Sequence, residues 1–467
     1  MRALRVILPD EPTGAVYEGT IRMSGDAVAR PLGGLLRTRN FALLWIGQST
    51  SAAGSAITTV ALPLVAISPL HAGPAMVALL TAATWLPWLL IGLPAGVWVD
   101  RWPRRRTLLI ADIVSAAVLV VIPIAAWTEV LTMTMLVVAA LLAGTAGVFA
   151  NVAFNAFLPH LVGAEDLMEG NARLQTSASV ALVVGPGLGG LLAQAAGAVS
   201  GILIDAVTFL VSAACLLGLR SEPEPRPSPG DRPGMLRQIA EGIGFIMRGR
   251  LLQAMLVVAS VTNFAMLGIT ALRVVFLVRT EGAAPGTAGS VIGVGSLGAI
   301  LGAALASRAS RRFGSARTYL VASVAAAPFV LLLPLGGHGW RLTLFAAGSF
   351  VALAGATMAN VMTMTFRGAF VPAHLLGRVT AASRIFVFGT IPFGAATAGL
   401  LASALGVRPA MWALAVLYAT APLLLLATEA RTLRAFPARG TPAAQQPSGP
   451  LPGEGSGPSP GMRPVST

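Results

Sequence analysis

Twelve long apolar stretches decide what this chain can fold into. They lie at 41–67, 75–99, 107–127, 131–156, 171–196, 198–219, 251–278, 287–306, 318–336, 342–366, 379–404 and 410–427. About 20 residues of α-helix cross the ~30 Å hydrocarbon layer of a bilayer, and a helix satisfies its backbone polar groups internally. Strands of a membrane barrel would be about 10 residues long and alternate in polarity. These runs are longer and continuous, so they read as helices. Of the 467 residues only 11% are charged and 55% are apolar. A soluble globular chain carries about 25% charged residues, so too little polar surface is available here to cover a water-exposed core. The expected fold is an all-α membrane protein with twelve transmembrane helices.

The formal net charge is +14, and every one of the 32 basic residues is Arg. Such a balance can mark a nucleic-acid partner. Here, however, the Arg residues form short clusters between apolar runs, so the pattern is topological and no nucleic-acid partner is expected. With both termini in the cytoplasm, 26 of the 32 Arg residues fall in inside segments. Arg173 and Arg384 lie just within the inner ends of spans, and only Arg273, Arg279, Arg341 and Arg408 lie toward the outside. This is the pattern of a multi-pass protein of the inner cell membrane. The single cysteine, Cys215, excludes an intrachain disulfide and a multi-cysteine metal site, and the absence of lysine excludes lysine chemistry. Residues 1–39 have no apolar core and therefore do not read as a cleaved signal peptide; Met23 is a candidate translation start.

The expected organisation is a cytoplasmic tail at 1–39, a six-helix half at 40–219, a linker at 220–250, a second six-helix half at 251–428 and a disordered tail at 429–467. The linker opens with a Pro-rich stretch and continues with Met235, Ile239, Ile243 and Ile246 at helical spacing, as in an amphipathic helix on the inner membrane surface. The halves resemble each other. Asn151-Val152 and Leu158-Pro159-His160-Leu161 in the first correspond to Asn360-Val361 and Val371-Pro372-Ala373-His374-Leu375 in the second. Six-span repeats of this kind place a transporter's substrate site between the halves near the bilayer midplane.

The loop after the second span reads Gly96-Val-Trp-Val-Asp100-Arg101-Trp-Pro103-Arg104-Arg105-Arg106. Gly96 would allow close helix packing, Asp100 can sit at a helix N-terminus near residue 379, and the Arg cluster holds the loop inside. The fifth span carries Gly185-Pro186-Gly187-Leu188-Gly189-Gly190, in which Pro186 kinks the helix and the glycines admit a neighbour. The pairs Gly289/Gly293 and Gly298/Gly302 in the eighth span are its candidate partners. The loop resembles the signature Gly-x-x-x-Asp-Arg-x-Gly-Arg-Arg/Lys of the major facilitator superfamily, with Pro103 in place of a Gly. The fifth-span segment resembles that superfamily's exporter motif, Gly-x-x-x-Gly-Pro-x-x-Gly-Gly. Over 35–427 the chain is similar to the branch of macrolide-efflux proteins and enterobactin exporters, drug:proton antiporters of major facilitator fold. It departs from that branch at Ser55, where an acid is common, and at Phe154, where an Arg is common.

In that architecture the first, fourth, seventh and tenth spans line the cavity. The polar residues Gln48, Ser51, Ser55, Asn151, Asn155, Asn263, Asn360 and Thr363 fall at helical spacing on those spans. An uncharged amide-and-hydroxyl lining with aromatic neighbours suits a bulky amphipathic compound. The intramembrane ionisable residues Asp112, Asp205 and Arg273 are the coupling candidates, although Asp112 has the Arg104–Arg106 cluster as a possible partner. The resulting expectation is export of a small amphipathic compound by alternating access and proton antiport, by a monomer in a lipid bilayer. No cofactor, metal or enzymatic activity is expected. Uptake of a sugar or other metabolite, and a scaffold or sensor without transport, are the competing readings.

Overall fold

The computed structural model describes residues 34–92, 94–99, 101–220 and 235–436. Twelve helices among them are long and apolar enough to cross a membrane. Spans 1 to 6 are Arg39–Ile67, Pro74–Ile91, Arg104–Trp127, Met133–Gly163, Glu165–Ala196 and Ala198–Gly218. Spans 7 to 12 are Arg250–Thr280, Pro285–Phe313, Ser315–Leu335, Gly339–Phe370, Leu375–Leu405 and Val407–Ala427. Several run beyond the apolar stretches that announce them, because helical hydrogen bonding continues through polar residues at the span ends. Span 4 reaches Gly163, whose φ of 75° breaks the helix before span 5.

Proline accounts for several irregularities, though not for the π-helical turn Val275–Thr280 that ends span 7. The second apolar stretch is divided, with the short helix Pro94–Val99 following span 2, since Pro94 lacks an N–H and its ring excludes a carbonyl of the preceding turn. Span 9 tightens to a 3-10 turn at Ala327–Leu331, beside Pro328. Span 12 does the same at Ala421–Ala427, beside Pro422. The repeat is visible in the turns: Gly197 (φ 82°, ψ 155°) joins spans 5 and 6, and Gly406 (φ 94°, ψ 160°) joins spans 11 and 12. Both backbones lie where a Cβ is strained.

Spans 1–6 and 7–12 form two halves that meet along two seams, span 5 on span 8 and span 2 on span 11. Lipid tails are as apolar as leucine, so such helices are held by close packing. A Cβ on Gly190 would meet the Pro285 carbonyl, one on Gly289 the Pro186 carbonyl, and one on Gly293 the Val183 carbonyl. On the other seam a Cβ on Gly399 would lie 2.8 Å from Ala78, and one on Gly389 3.2 Å from Leu89. Arg279 adds a hydrogen bond to the Ala72 carbonyl at 2.7 Å. These contacts lie in the part of the bundle remote from the Arg-rich loops.

Span 8 was expected to meet span 5 through both of its glycine pairs. Only Gly289 and Gly293 do so. Gly298 and Gly302 instead pack on the carbonyls of Phe350 and Ala354 in span 10. Nine residues of helix separate Gly289 from Gly298, half a turn out of phase at 3.6 residues per turn, so the pairs face opposite neighbours.

The linker helix, Met235–Met247, packs against the second half. Ile246 is buried, and Ile243 and Phe245 pack with it against Met255, Phe366 and Val379. Glu241 pairs with Arg378 near the start of span 11, and Gly242 sits against the Arg378 carbonyl. Of the residues expected on its apolar face, the side chains of Met235 and Ile239 lie outside the described set.

At the opposite end Glu281 is only 3% exposed, and its Oε1 accepts from Arg408 at 2.6 Å. Arg408 also donates to the Gly336 carbonyl at 3.1 Å and lies 5.6 Å over the Phe276 ring. His338 Nδ1 is 3.5 Å from Glu281 Oε2. This cluster ties three loops of the second half together. Arg408→Ala, which strands the Glu281 carboxylate, is expected to cost about 2 kcal/mol. The double variant Glu281→Gln/Arg408→Gln should recover part of that loss, because no buried charge remains. Thermal unfolding of the purified variants measures both.

Candidate binding cavity and buried carboxylates

A cavity of about 820 Å³ lies in the second half, lined from spans 7, 9, 10, 11 and 12. It extends from Gly368 and Leu376, near the Arg-rich end, to Thr270 and Arg273, toward the other end. Met266, Leu353, Met364 and Val387 provide apolar wall, and Asn263, Asn360, Thr363, Thr380 and Ser383 provide polar positions. Phe388 borders it and stacks on Trp85 and Trp88 of span 2, at centroid distances of 6.4 and 6.1 Å. That contact places the cavity edge at the seam between the halves. Asn263 donates to the Val387 carbonyl at 2.9 Å, fixing span 7 to span 11 beside it.

Of the polar residues expected to line a cavity, Asn263, Asn360 and Thr363 do so, as does Arg273. Gln48, Ser51, Ser55, Asn151 and Asn155, all in the first half, are not part of this lining. Several are engaged locally: Ser51 donates to the Gln48 carbonyl at 3.3 Å, and Asn155 to the Asn151 backbone and side-chain oxygens at 2.8 and 3.1 Å. Two lining residues that sequence reasoning left out of the site are Arg367 and Arg384. Reading them only as loop and span-end charges hid them; their position within spans was the available signal.

The first half holds its polarity in a seam between spans 1, 3 and 6. Asp205 is 1% exposed. Thr58 donates to its Oδ2 at 2.6 Å, and the Thr208 hydroxyl lies 3.3 Å from Oδ1 while donating to the Asp205 backbone carbonyl at 2.7 Å. Ser55 supplies a further side-chain hydrogen bond. Gly54 opens the space: a Cβ there would run into Thr208 Oγ1 and Asp205. About two turns further along span 6, Asp112 of span 3 is 3% exposed and faces the Ser212 hydroxyl, which is its side-chain hydrogen-bond partner. Gly47 of span 1 closes this site, with 3.2 Å from a Cβ to Ser212 Oγ. The Arg104–Arg106 cluster does not reach Asp112. Arg105 turns instead to the carbonyls of Leu216 and Leu217, both at 2.9 Å, at the end of span 6, where a cation complements the helix dipole.

In the loop after span 2, Asp100 lies outside the described residues. Arg101 and Arg106 are exposed and Arg104 is half-buried. Gly96 makes no close approach, for a Cβ there would meet nothing within 4 Å. The fifth-span motif has two faces. Gly185 and Gly189 lie against Ala56 and the Ile57 carbonyl of span 1, whereas Gly190 and the Pro186 carbonyl face span 8.

Twelve spans in two six-helix halves, the second enclosing a polar-and-apolar cavity and the first holding two buried carboxylates, are the architecture of a membrane transporter. The chain matches the family described as "Transmembrane secretion effector" over residues 32–451 and belongs to it. It is similar to the multidrug efflux pump Tap of Mycobacterium tuberculosis (strain ATCC 25618 / H37Rv), with 28% identity over 385 residues, 80% of this chain and 90% of that one. Macrolide efflux protein A of Streptococcus pyogenes is 28% identical over 238 residues, half of this chain and 57% of that one. Among solved structures, the nucleoside transporter NupG superposes with TM-score 0.67 at 13% identity, covering 83% of this chain and 98% of that one. A bacterial homologue of the human lysosomal transporter Spinster, inward-facing and unoccupied, gives TM-score 0.67 at 15% identity over 85% and 97%. The fold is that of the major facilitator superfamily.

Gly54→Ala should force spans 1 and 6 apart and cost about 1–3 kcal/mol, the range for overpacking. Gly96→Ala should be close to neutral. Thermal unfolding of the two variants side by side tests the contrast.

Proposed function

We propose that this protein exports a small amphipathic compound by alternating access, driven by proton antiport. The single observation that carries this reading is the 820 Å³ cavity with mixed walls in the second half, whose Phe388 edge meets span 2 of the first. Its size and lining match sites for drug-sized ligands. Efflux is supported by the relatives named as efflux pumps and by the Gly-Pro-x-x-Gly-Gly segment at the junction of spans 1, 5 and 8. With the Arg-rich loops in the cytoplasm, the described contacts between the halves lie on the outer side, and the cavity reaches toward the inside. That is a state able to load from the cytoplasm. Both termini are then cytoplasmic.

Uphill export needs an energy source, and a proton moving down ~100 mV supplies about 2.3 kcal/mol. Its carrier must exist in two protonation states within the membrane. Asp205 is suited to this, since the hydroxyls of Thr58, Thr208 and Ser55 can donate to a carboxylate or accept from a carboxylic acid. Asp112, buried beside the Ser212 hydroxyl, is the second candidate. Asp100, with Arg101 and Arg104–Arg106, is assigned to the loop that closes the inner side. Asp205→Asn or Asp112→Asn is expected to reduce proton-driven accumulation in inverted vesicles to the level of empty vesicles while leaving substrate binding intact. Accumulation by both single variants at wild-type rates would exclude these two acids as carriers.

Orientation is checked separately. A membrane-impermeant thiol reagent applied to intact cells should fail to label a cysteine introduced after residue 436, and should label it once the cells are opened.

A further inference from the structure

Three guanidinium groups share the cavity wall, and among its lining residues there is no carboxylate to match them. Arg273 comes from span 7, Arg367 from span 10 and Arg384 from span 11. None has an acid within ion-pair distance among the described residues. The first half offers no compensation across the seam. Asp205 and Asp112 are buried between spans 1, 3 and 6, and Glu129, Glu165, Asp166 and Glu169 lie at the ends of spans. Glu241 is taken by Arg378, and Glu281 by Arg408.

The three are also spread along the membrane normal. At 1.5 Å per residue, Arg367 lies about 5 Å from the end of span 10, Arg384 about 14 Å into span 11 from the same side, and Arg273 about 10 Å from the opposite end of span 7. They mark the mouth, the middle and the closed end of one cavity. Snorkelling to the interface does not account for Arg273, because its Nε is enclosed and has no hydrogen-bond partner. Like charges within a shared cavity repel one another, and cations at this depth are stabilised by a counter-charge or by water.

We propose that the compound carried by this cavity is an organic anion, with a carboxylate, sulfonate or phosphate on an apolar body. Arg273 and Arg384 bind the acidic group, and Arg367 recruits it at the mouth. Guanidinium forks match planar or tetrahedral oxyanions with paired hydrogen bonds, and the Met, Leu, Val and Phe side chains of the wall receive the apolar body. This rests on the reading of the cavity as the substrate site and adds the sign of the substrate's charge. It departs from the uncharged lining expected from the sequence.

The test uses the full-length protein in nanodiscs and two dyes on one xanthene skeleton, anionic carboxyfluorescein and cationic tetramethylrhodamine methyl ester, read by fluorescence anisotropy. Wild-type protein should bind the anion in preference to the cation. Arg273→Gln and Arg384→Gln should each weaken anion binding about tenfold or more, as for loss of one charge-assisted contact, with Arg273→Lys weakening it less than Arg273→Gln. Arg384, exposed to the cavity, provides a variant without a buried change should Arg273→Gln fold poorly. Preference for the cation, binding of neither dye, or wild-type anion affinity in both Gln variants would overturn the proposal. If vesicles containing the same protein then exported a neutral or cationic compound, the anion assignment would fall while export stood. Absence of export for compounds of every charge would remove the exporter reading itself.

Discussion

The meeting of the two halves depends on backbone reaching backbone. In a bilayer, burial of apolar surface gives no net force between helices, so association rests on close contact. Here that contact is carbonyl on glycine, with Pro285 on Gly190, Pro186 on Gly289 and Val183 on Gly293. Each pair requires a residue with no side chain at one position. The long apolar stretches make helices, but these small residues decide which helices can touch. The Phe388 edge of the cavity meets Trp85 and Trp88 at the second seam, between spans 2 and 11.

Much of this was legible in the sequence, because membrane crossing imposes a coarse rule that a chain cannot evade. Hydropathy announces the twelve spans, glycine spacing in the fifth announces a close helix contact, and the likeness of that segment to an exporter motif comes from the family resemblance. The break of span 2 before Pro94 was less visible, since the residues around it are all apolar. The site was harder. Asn263, Asn360 and Thr363 were picked from their spacing and line the cavity, but Gln48, Ser51, Asn151 and Asn155 have the same spacing and do not. Periodicity places a residue on a helix face; it does not say whether that face meets a cavity, a neighbour or lipid. The partnership of Glu281 with Arg408 joins loops 127 residues apart, and no local pattern announces it.

The halves also divide their chemistry. The first holds two buried carboxylates in a seam of small and hydroxylated residues, where Gly54 and Gly47 make room for them. The second holds the cavity and the guanidinium groups on its wall. Related in topology, the halves have diverged in charge. Under the proposed antiport, the acids that exchange protons and the cavity that binds cargo belong to different halves, joined through the seams.

Span 8 has a consequence for how substitutions along one helix will differ. Gly298 and Gly302 fasten it to span 10 within its own half, and that contact persists as long as the half is folded. Gly289 and Gly293 touch span 5 of the other half, in a contact that a rocking transporter makes and releases at every turnover. Free energy placed in the first pair belongs to the folded state against the unfolded. Under the alternating access proposed above, free energy placed in the second belongs to one conformer against another. Two glycine pairs only nine residues apart on the same helix thus govern different equilibria.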